Sequence, residues 1–213
     1  MARGPVEDGC RFCELPDQDR VLQLDDSFAI MFSLGPLIPG HFMLVARDHY
    51  PSSAELPPSQ IPKTSRVIRR ILDELSDRFG EFTAFEHGRA GACVPPGHGE
   101  DHCYHAHVHF LPKNVDLAAS VRDDYELISF DSWASFQAQH SEHPVPYIAV
   151  WEGAAVHAVF DPSNLPHHYL RTKVATTLGE PLLGDWVAFP RSWDIDTAKA
   201  SHVFEFLRKV DLT

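Results

Sequence analysis

The stretch His105-Ala106-His107-Val108-His109-Phe110-Leu111 carries the clearest structural and chemical signal in this chain. On a β-strand alternate side chains share one face, so all three histidines point to one side and the residues between them point into a core. Burying three imidazoles without hydrogen-bond partners costs free energy, which makes a purely structural strand a poor explanation. The pattern therefore predicts a functional histidine face.

Two kinds of chemistry fit three histidines on one strand face. Two or three of the imidazoles can bind a single zinc ion. Alternatively, one imidazole acts as a nucleophile while its neighbours orient it and handle protons. The positions of the histidines along the strand leave both possibilities open.

Short apolar runs and one long helical pattern precede this stretch. Apolar residues recur at helical spacing from Ile61 to Phe79, and Gly80 is placed to end that helix. Segments rich in glycine and proline separate the shorter runs. The predicted strands cover residues 21–24, 28–32, 41–46, 82–85 and 104–111, the first two of them as a hairpin.

The residues that follow the histidine strand differ in sequence pattern from those before it and carry no catalytic motif. The elements predicted there are a hairpin of residues 147–151 and 155–160 and helices over residues 169–178 and 197–210. We therefore predict a domain boundary near residue 114. Residues 1–114 would form the domain that carries the site, and residues 115–213 would form a C-terminal extension.

Composition and charge restrict the class of partner. A chain of 213 residues with 44% hydrophobic residues can bury a sizeable core. Its formal net charge of -12 disfavours wrapping long nucleic acid, whereas a small phosphate ester in a local pocket stays allowed. The N-terminal residues lack the apolar run of a signal peptide, and no stretch approaches a membrane span. We expect a cytoplasmic protein without a membrane partner.

Cys10-x-x-Cys13 is the second chemical signal. This spacing fits one half of a tetrahedral zinc site, and because the chain lacks a second such pair, the remaining ligands must be histidines. A free thiol pair or a redox motif is the alternative. Four cysteines in a chain of this length favour a reducing compartment over a secreted disulfide scaffold.

The order of several motifs resembles the histidine triad superfamily. The stretch from His105 to Leu111 resembles the family's His-φ-His-φ-His-φ-φ signature, where φ is an apolar residue. Upstream, Pro36-Leu37-Ile38-Pro39-Gly40-His41-Phe42 resembles the loop and strand that end in Pro-Gly-His, and Phe85-Glu86-His87-Gly88 precedes a glycine-rich loop as in the family. The resemblance covers residues 10 to 113. It implies an α+β fold with a long helix packed on an antiparallel sheet, to which the C-terminal extension adds a smaller α/β lobe.

The resemblance also implies catalytic roles. His107, the middle histidine, corresponds to the family's nucleophile, which attacks an α-phosphorus and forms a covalent nucleotidyl-histidine intermediate. His109 would lie close to the phosphate, and His41 resembles an additional upstream histidine there. Neutral imidazole is a good nucleophile near pH 7. The implied activity is that of a nucleotidyl hydrolase or transferase acting on a nucleotide or nucleotide conjugate.

A structural zinc site is implied by the zinc-containing members of the family and by the related galactose-1-phosphate uridylyltransferases. His49 resembles a zinc-binding histidine of those proteins, and the first triad histidine, His105, resembles the fourth ligand. The implied site is Cys10, Cys13, His49 and His105. Four protein ligands would close the zinc to substrate, so the ion would pin the N-terminus to the histidine strand.

Three further positions are expected to contact the substrate. Ser33 stands where many nucleoside-binding members carry an acidic residue that holds the ribose. His102 stands where relatives often place a phosphate-contacting serine, and Glu86 matches a polar position near the active histidine or the sugar. The smallest family members are commonly dimers that complete each other's pockets, so a homodimer is compatible with the resemblance.

Two alternatives compete with a nucleotidyl-histidine enzyme. One is a metal-dependent hydrolase in which His105, His107 and His109 all bind one catalytic metal. The other is a nucleotide-binding or interaction module that has kept the fold and lost turnover, which the neutral residue at position 33 and the histidine at position 102 allow.

Overall fold

The computed structural model describes residues 6–15, 18–80, 82–90, 104–188, 202–203 and 205–209. Its main elements, in chain order, are α1 (Arg11–Glu14), β1 (Val21–Gln23), β2 (Phe28–Phe32), β3 (Phe42–Ala46), α2 (Ile61–Phe79), β4 (Thr83–Gly88), β5 (His107–Leu111), α3 (Leu117–Arg122), β6 (Ile128–Phe130), α4 (Trp133–Glu142), β7 (Tyr147–Glu152), β8 (Ala155–Phe160) and α5 (Tyr169–Thr177). Within these described ranges, no helix has both the length and the apolar character needed to cross a membrane.

The eight strands form one sheet in the order β1-β2-β3-β5-β4-β7-β8-β6, and neighbouring strands pair antiparallel. Strand β5 lies inside the sheet between β3 and β4 and carries His107 and His109. Both of its edges are therefore hydrogen-bonded, which fixes its register from two sides. It is shorter than the predicted strand of residues 104–111, and His105 comes two residues before its start. The predicted antiparallel sheet and its first hairpin are confirmed.

The C-terminal residues continue the same sheet. Five residues of strand β7 pair with β4, from Ala84 opposite Trp151 to Gly88 opposite Tyr147. The predicted hairpin of β7 and β8 is confirmed, and helix α5 covers most of residues 169–178. Of the helix predicted over residues 197–210, the structure describes residues 202–203 and 205–207 as helical. The boundary predicted near residue 114 falls between β5 and α3, where the sheet itself has no break.

Helices α2 and α4 cover one face of the sheet. Helix α2 has Pro62 in its first turn, where a missing N–H costs nothing, and it ends at Gly80, whose φ of 89° lies in the region that favours glycine. Its apolar side chains Ile68, Ile71 and Leu75 are buried against the sheet. The long helix expected from the sequence is thus confirmed and packs on the face opposite the histidines.

Two smaller clusters cover the other face, which we call the triad face. The N-terminal cluster consists of Leu15, Ala29, Met31, Met43 and Val45. The C-terminal cluster is larger and joins strands β4, β5, β7 and β8 to helices α3 and α5; among its members are Phe85, Leu111, Val150, Leu170 and Val174. The histidines of β5 lie between these clusters, so the N-terminal segment and helices α3 and α5 border this part of the sheet.

Glu86 lies on the opposite side of the sheet from the histidines. Phe85 pairs with His109 across β4 and β5, so Phe85 shares the triad face and Glu86, the next residue, points to the helix face. There its carboxylate accepts hydrogen bonds from the Ser53 amide (2.8 Å), the Ser53 hydroxyl and the Tyr147 hydroxyl (2.8 Å). This placement does not support the substrate contact expected of Glu86.

Burial raises the pKa of the Glu86 carboxyl to about 7, against the opposing effect of the hydrogen bonds from Ser53 and Tyr147. The folded-state pKa therefore lies above the unfolded-state value of 4.5. A carboxyl of this kind stabilises the fold fully below pH 4.5, and the contribution is lost as the pH rises through about 7.

We expect Glu86→Gln to remove this pH dependence. The unfolding free energy of the native chain minus that of Glu86→Gln should fall by about 3 kcal/mol between pH 4.5 and pH 8, because one pKa unit corresponds to about 1.4 kcal/mol. Urea unfolding at several pH values measures the difference, and subtraction cancels the titration of the buried histidines. Glu126→Gln, at an exposed position, is the control. A difference that stays flat over this range would contradict the assignment.

Candidate functional site

The hydrogen bonds of His107 fix which of its nitrogens can react. Its Nδ1 lies 2.6 Å from the carbonyl oxygen of His105. A carbonyl oxygen only accepts, so Nδ1 carries the proton and donates it. The lone pair of the neutral ring is then on Nε2. His107 is buried, with 7% of its surface exposed, and its Nε2 has the electronic state of a nucleophile.

A second pair of hydrogen bonds fixes the tautomer of His109. The Leu37 amide donates to His41 Nδ1 at 3.2 Å, so His41 must carry its proton on Nε2. That Nε2–H donates to His109 Nδ1 at 3.0 Å. His109 therefore carries its own proton on Nε2 and presents an N–H donor on the triad face.

Aromatic rings pack against both of these histidines. Phe12 stacks on His107 with a ring-centroid distance of 4.7 Å, and Phe85 stacks on His109 at the same distance. These contacts restrict rotation of the two imidazoles. The role of Phe12 was not predicted from the sequence, although its position between Cys10 and Cys13 could have suggested that it reaches the histidine strand.

The electrostatics of the site favour neutral imidazoles. Burial lowers the pKa of His107, and the Arg171 guanidinium lowers it further, against the opposing effect of the bond to the His105 carbonyl. Burial also holds the pKa values of His41 and His109 well below the ordinary histidine range, and Arg171 acts on both in the same direction. Neutral imidazole is thus the dominant form of these three side chains near neutral pH.

The four predicted metal ligands lie together. One ligand atom from each of Cys10, Cys13, His49 and His105 falls within 4.8 Å of all the others. Cys13 Sγ lies 3.4 Å from His49 Nδ1 and 3.7 Å from His105 Nδ1, and Cys10 Sγ lies 3.5 Å from His105 Nδ1. Ligands of one tetrahedral zinc ion are roughly 3.5 Å apart, given bonds of about 2.0 to 2.3 Å. The cluster is compatible with zinc.

The outer hydrogen bonds of the two histidines also fit a metal. His105 Nε2 donates to the Ala46 carbonyl at 2.7 Å, and His49 Nε2 lies 2.6 Å from the Glu7 carboxylate. In their neutral forms both rings then carry the lone pair on Nδ1, the atom that faces the cysteines. Metal-bound histidines commonly donate their second N–H to a carbonyl or carboxylate in this way.

The oxidation state of the thiols decides whether a metal can bind. Cys10 takes part in a disulfide bond in the structure, whereas Cys13 is buried and is not disulfide-bonded. Only a thiolate serves as a zinc ligand, so a metal-loaded cluster needs Cys10 in its reduced form.

The structure does not support one catalytic metal held by all three triad histidines. His105 directs Nδ1 to the cysteines, while the Nδ1 atoms of His107 and His109 are engaged with a carbonyl and with His41. Among the residues that the structure describes, the one candidate metal cluster includes His105 and neither of the others. The three histidines therefore differ in hydrogen bonding, because the Nδ1 atom of each one contacts a different group.

Ser33 and His102 are the other two residues that were predicted to contact the substrate. Ser33 is buried directly after β2, where its amide donates to the His41 carbonyl at 3.1 Å and its carbonyl accepts from Arg20 at 3.4 Å. It thus borders the segment that carries His41. His102 lies outside the described residues, so its expected phosphate contact stays a prediction.

Comparisons with known proteins give structural neighbours alone, since no protein-family model and no curated protein sequence matches the chain. A histidine triad protein from Clostridium difficile is 22% identical, with 52% of this chain and 95% of that chain covered and a TM-score of 0.38. A hypothetical histidine triad nucleotide-binding protein from Sulfolobus tokodaii is 17% identical, covering 49% and 68%, with a TM-score of 0.37. The yeast Ap4A phosphorylase in complex with Ap4A is 13% identical, covering 88% and 82%, with a TM-score of 0.47. Because these scores are below 0.5, we base the assignment of function on the chain's own residues.

Phe12→Ala should expose the reactive nitrogen of His107. Loss of the stacked ring leaves Nε2 open to solvent reagents, and we expect its acylation by diethyl pyrocarbonate to become several-fold faster. Peptide mapping by mass spectrometry follows the rate at this histidine alone. Val6→Ala, at an exposed position in the same segment, is the control. An unchanged rate at His107 would show that Phe12 does not cover it.

Proposed function

We propose that this chain is a histidine triad enzyme, a nucleotidyl hydrolase or transferase that uses His107 as its nucleophile. The observation that carries the proposal is the bond from His107 Nδ1–H to the His105 carbonyl, which leaves the Nε2 lone pair available in a buried site. The motif order around the triad supports nucleotides as the substrate class.

In the first step, His107 Nε2 attacks the α-phosphorus of the substrate. A nitrogen–phosphorus bond forms, the bond to the leaving-group oxygen breaks, and that oxygen departs with the electron pair. The ring becomes a positively charged nucleotidyl-imidazole that keeps its proton on Nδ1. The His105 carbonyl, which accepts that proton's hydrogen bond, stabilises the new positive charge.

His109 supports the same step through its remaining donor. Its Nε2–H can donate to an oxygen of the phosphate group, where negative charge builds up as the leaving group departs. The hydrogen bond from His41 Nε2–H to His109 Nδ1 keeps the proton of His109 on Nε2, and His41 does not need to exchange a proton. In the second step, an oxygen of water or of another acceptor attacks the phosphorus, and the nitrogen–phosphorus bond breaks with its electron pair returning to His107 Nε2. The proton of the attacking group passes to the departed leaving-group oxygen or to solvent.

We further propose that zinc occupies the Cys10, Cys13, His49 and His105 cluster and has a structural role. With four protein ligands the ion has no open position for substrate. It would hold α1 against β5 and so keep Phe12 stacked on His107. A zinc site of thiolates needs a reducing environment, which agrees with the cytoplasmic location predicted from the sequence.

Intact-protein mass spectrometry tests the proposed chemistry. The native chain is mixed with dinucleoside polyphosphates, nucleotide sugars and nucleoside phosphoramidates, beside His107→Ala and His107→Gly. We expect a nucleotide-sized adduct on the native chain and on neither variant, because only the native chain has the attacking Nε2. Tight nucleotide binding without an adduct or released product would instead favour a binding module. The mass of the adduct identifies the transferred nucleotide.

Zinc loading is tested on the reduced protein. We expect about one zinc ion per chain by elemental mass spectrometry after reduction, and strong loss of zinc in Cys13→Ser, because a hydroxyl is a poor zinc ligand. Glu7→Gln should weaken zinc binding by roughly tenfold, since it removes a carboxylate that orients His49. Glu126→Gln, at an exposed position outside the cluster, is the control. Equal zinc content in Cys13→Ser and the native chain would exclude this ligand set.

A further inference from the structure

One more histidine lies on the triad face without a role in the chemistry above. His87 is two residues beyond Phe85 on β4, so the two side chains share a face. Phe85 pairs with His109 and stacks on its ring, which identifies that face as the one that carries the triad. The pairing of β4 and β5 ends at Phe85 and His109, and beyond it His87 lies close enough to His107 for the two rings to interact electrostatically.

The C-terminal part of the chain fixes the tautomer of His87. The Leu170 amide, in the first turn of α5, donates to His87 Nε2 at 3.1 Å. Nε2 must therefore be the unprotonated nitrogen, and the ring carries its only proton on Nδ1. Burial lowers the pKa of His87 to about 3, and the charges of His107, His168 and Arg171 act in the same direction. The ring is a neutral single donor at physiological pH.

Helix α5 is held firmly where it meets His87. Leu170 and Val174 are fully buried in the C-terminal cluster. Arg171, which follows Leu170, donates from Nη2 to the Gly35 carbonyl at 2.7 Å. Gly35 lies just before the segment that carries His41. The amide that orients His87 is therefore anchored both to the sheet and to the loop beside the triad.

We propose that His87 is a phosphate-contacting residue of this site, whose Nδ1–H donates to an anionic oxygen of the phosphate group that His107 attacks. The assignment rests on the proposed function and extends it. It gives the C-terminal residues a part in catalysis, because Leu170 supplies the hydrogen bond that directs the Nδ1–H. His87 and His109 then offer two neutral N–H donors from neighbouring strands, β4 and β5.

Two substitutions at position 87 separate the contact with phosphate from the contact with Leu170. The amide oxygen of His87→Gln can reach the Leu170 amide as Nε2 does, but its side chain has no donor at the Nδ1 position. The shorter His87→Asn side chain can place an N–H near the Nδ1 position, but it leaves the Leu170 amide unpaired. The pair therefore removes one hydrogen bond at a time.

We expect His87→Gln to melt close to the native temperature and to lose about 10²-fold in kcat with the substrate that labels His107, as removal of one donor to a transition-state oxyanion typically does. His87→Asn should melt lower and keep more of the native kcat than His87→Gln. His143→Gln, at an exposed position, should leave both quantities unchanged. Activity that follows thermal stability across the three variants would overturn the proposal, because a purely structural histidine gives that pattern.

Nitrogen-15 NMR of the histidine rings, titrated with AMP, separates this proposal from the proposed function. We expect the His87 spectrum to show the Nδ1–H tautomer and the Nδ1 resonance to move as AMP binds. If AMP moves the His107 and His109 resonances and leaves His87 unmoved, the phosphate contact is wrong while the nucleophile stands. If AMP moves His87 while no compound ever labels His107, the contact stands and the covalent mechanism is wrong. No movement of any of the three would overturn both.

Discussion

The hydrogen bond from His107 Nδ1–H to the His105 carbonyl is the contact on which this site depends. It makes Nε2 the unprotonated nitrogen before any substrate arrives, and it can stabilise the charge that attack would create. The carbonyl itself is held in place, because the His105 side chain lies between the Ala46 carbonyl and the cysteine pair. Next to it, the Ala106 amide donates to the Tyr50 carbonyl, and the Ala106 carbonyl accepts from the Ala46 amide.

The same principle assigns a different state to each neighbouring histidine. An imidazole has two nitrogens and, when neutral, one proton, so a fixed donor or acceptor at one nitrogen determines the other. Backbone amides of Leu37 and Leu170 place the proton of His41 on Nε2 and that of His87 on Nδ1. Burial keeps these rings neutral, because a buried cation loses its hydration. A group of chemically identical side chains thereby gains distinct roles.

The N-terminal segment and helix α5 both border the triad face. The N-terminal segment contributes the cysteines and the ring of Phe12, and α5 contributes the Leu170 amide and the Arg171 guanidinium. Strand β7 extends the sheet from β4, which brings α5 close to the histidines. The C-terminal residues are therefore part of the architecture that orients the site, in addition to extending the fold.

The sequence by itself determined the elements whose signals are local and periodic. Alternation gave the histidine face of β5, helical spacing gave α2, and the Cys10-x-x-Cys13 spacing indicated a metal cluster that the structure brings within ligand distance. Helix α4 and strand β6 were missed, since one has few apolar residues in a clear stripe and the other has three residues. The facing of Glu86 and His87 was decided only by the tertiary structure, because a shift of one residue exchanges the two faces of a strand. The bonds from Leu37, Leu170 and Ala46 to their histidines join residues in different elements or turns, and no local pattern in the sequence encodes such pairings.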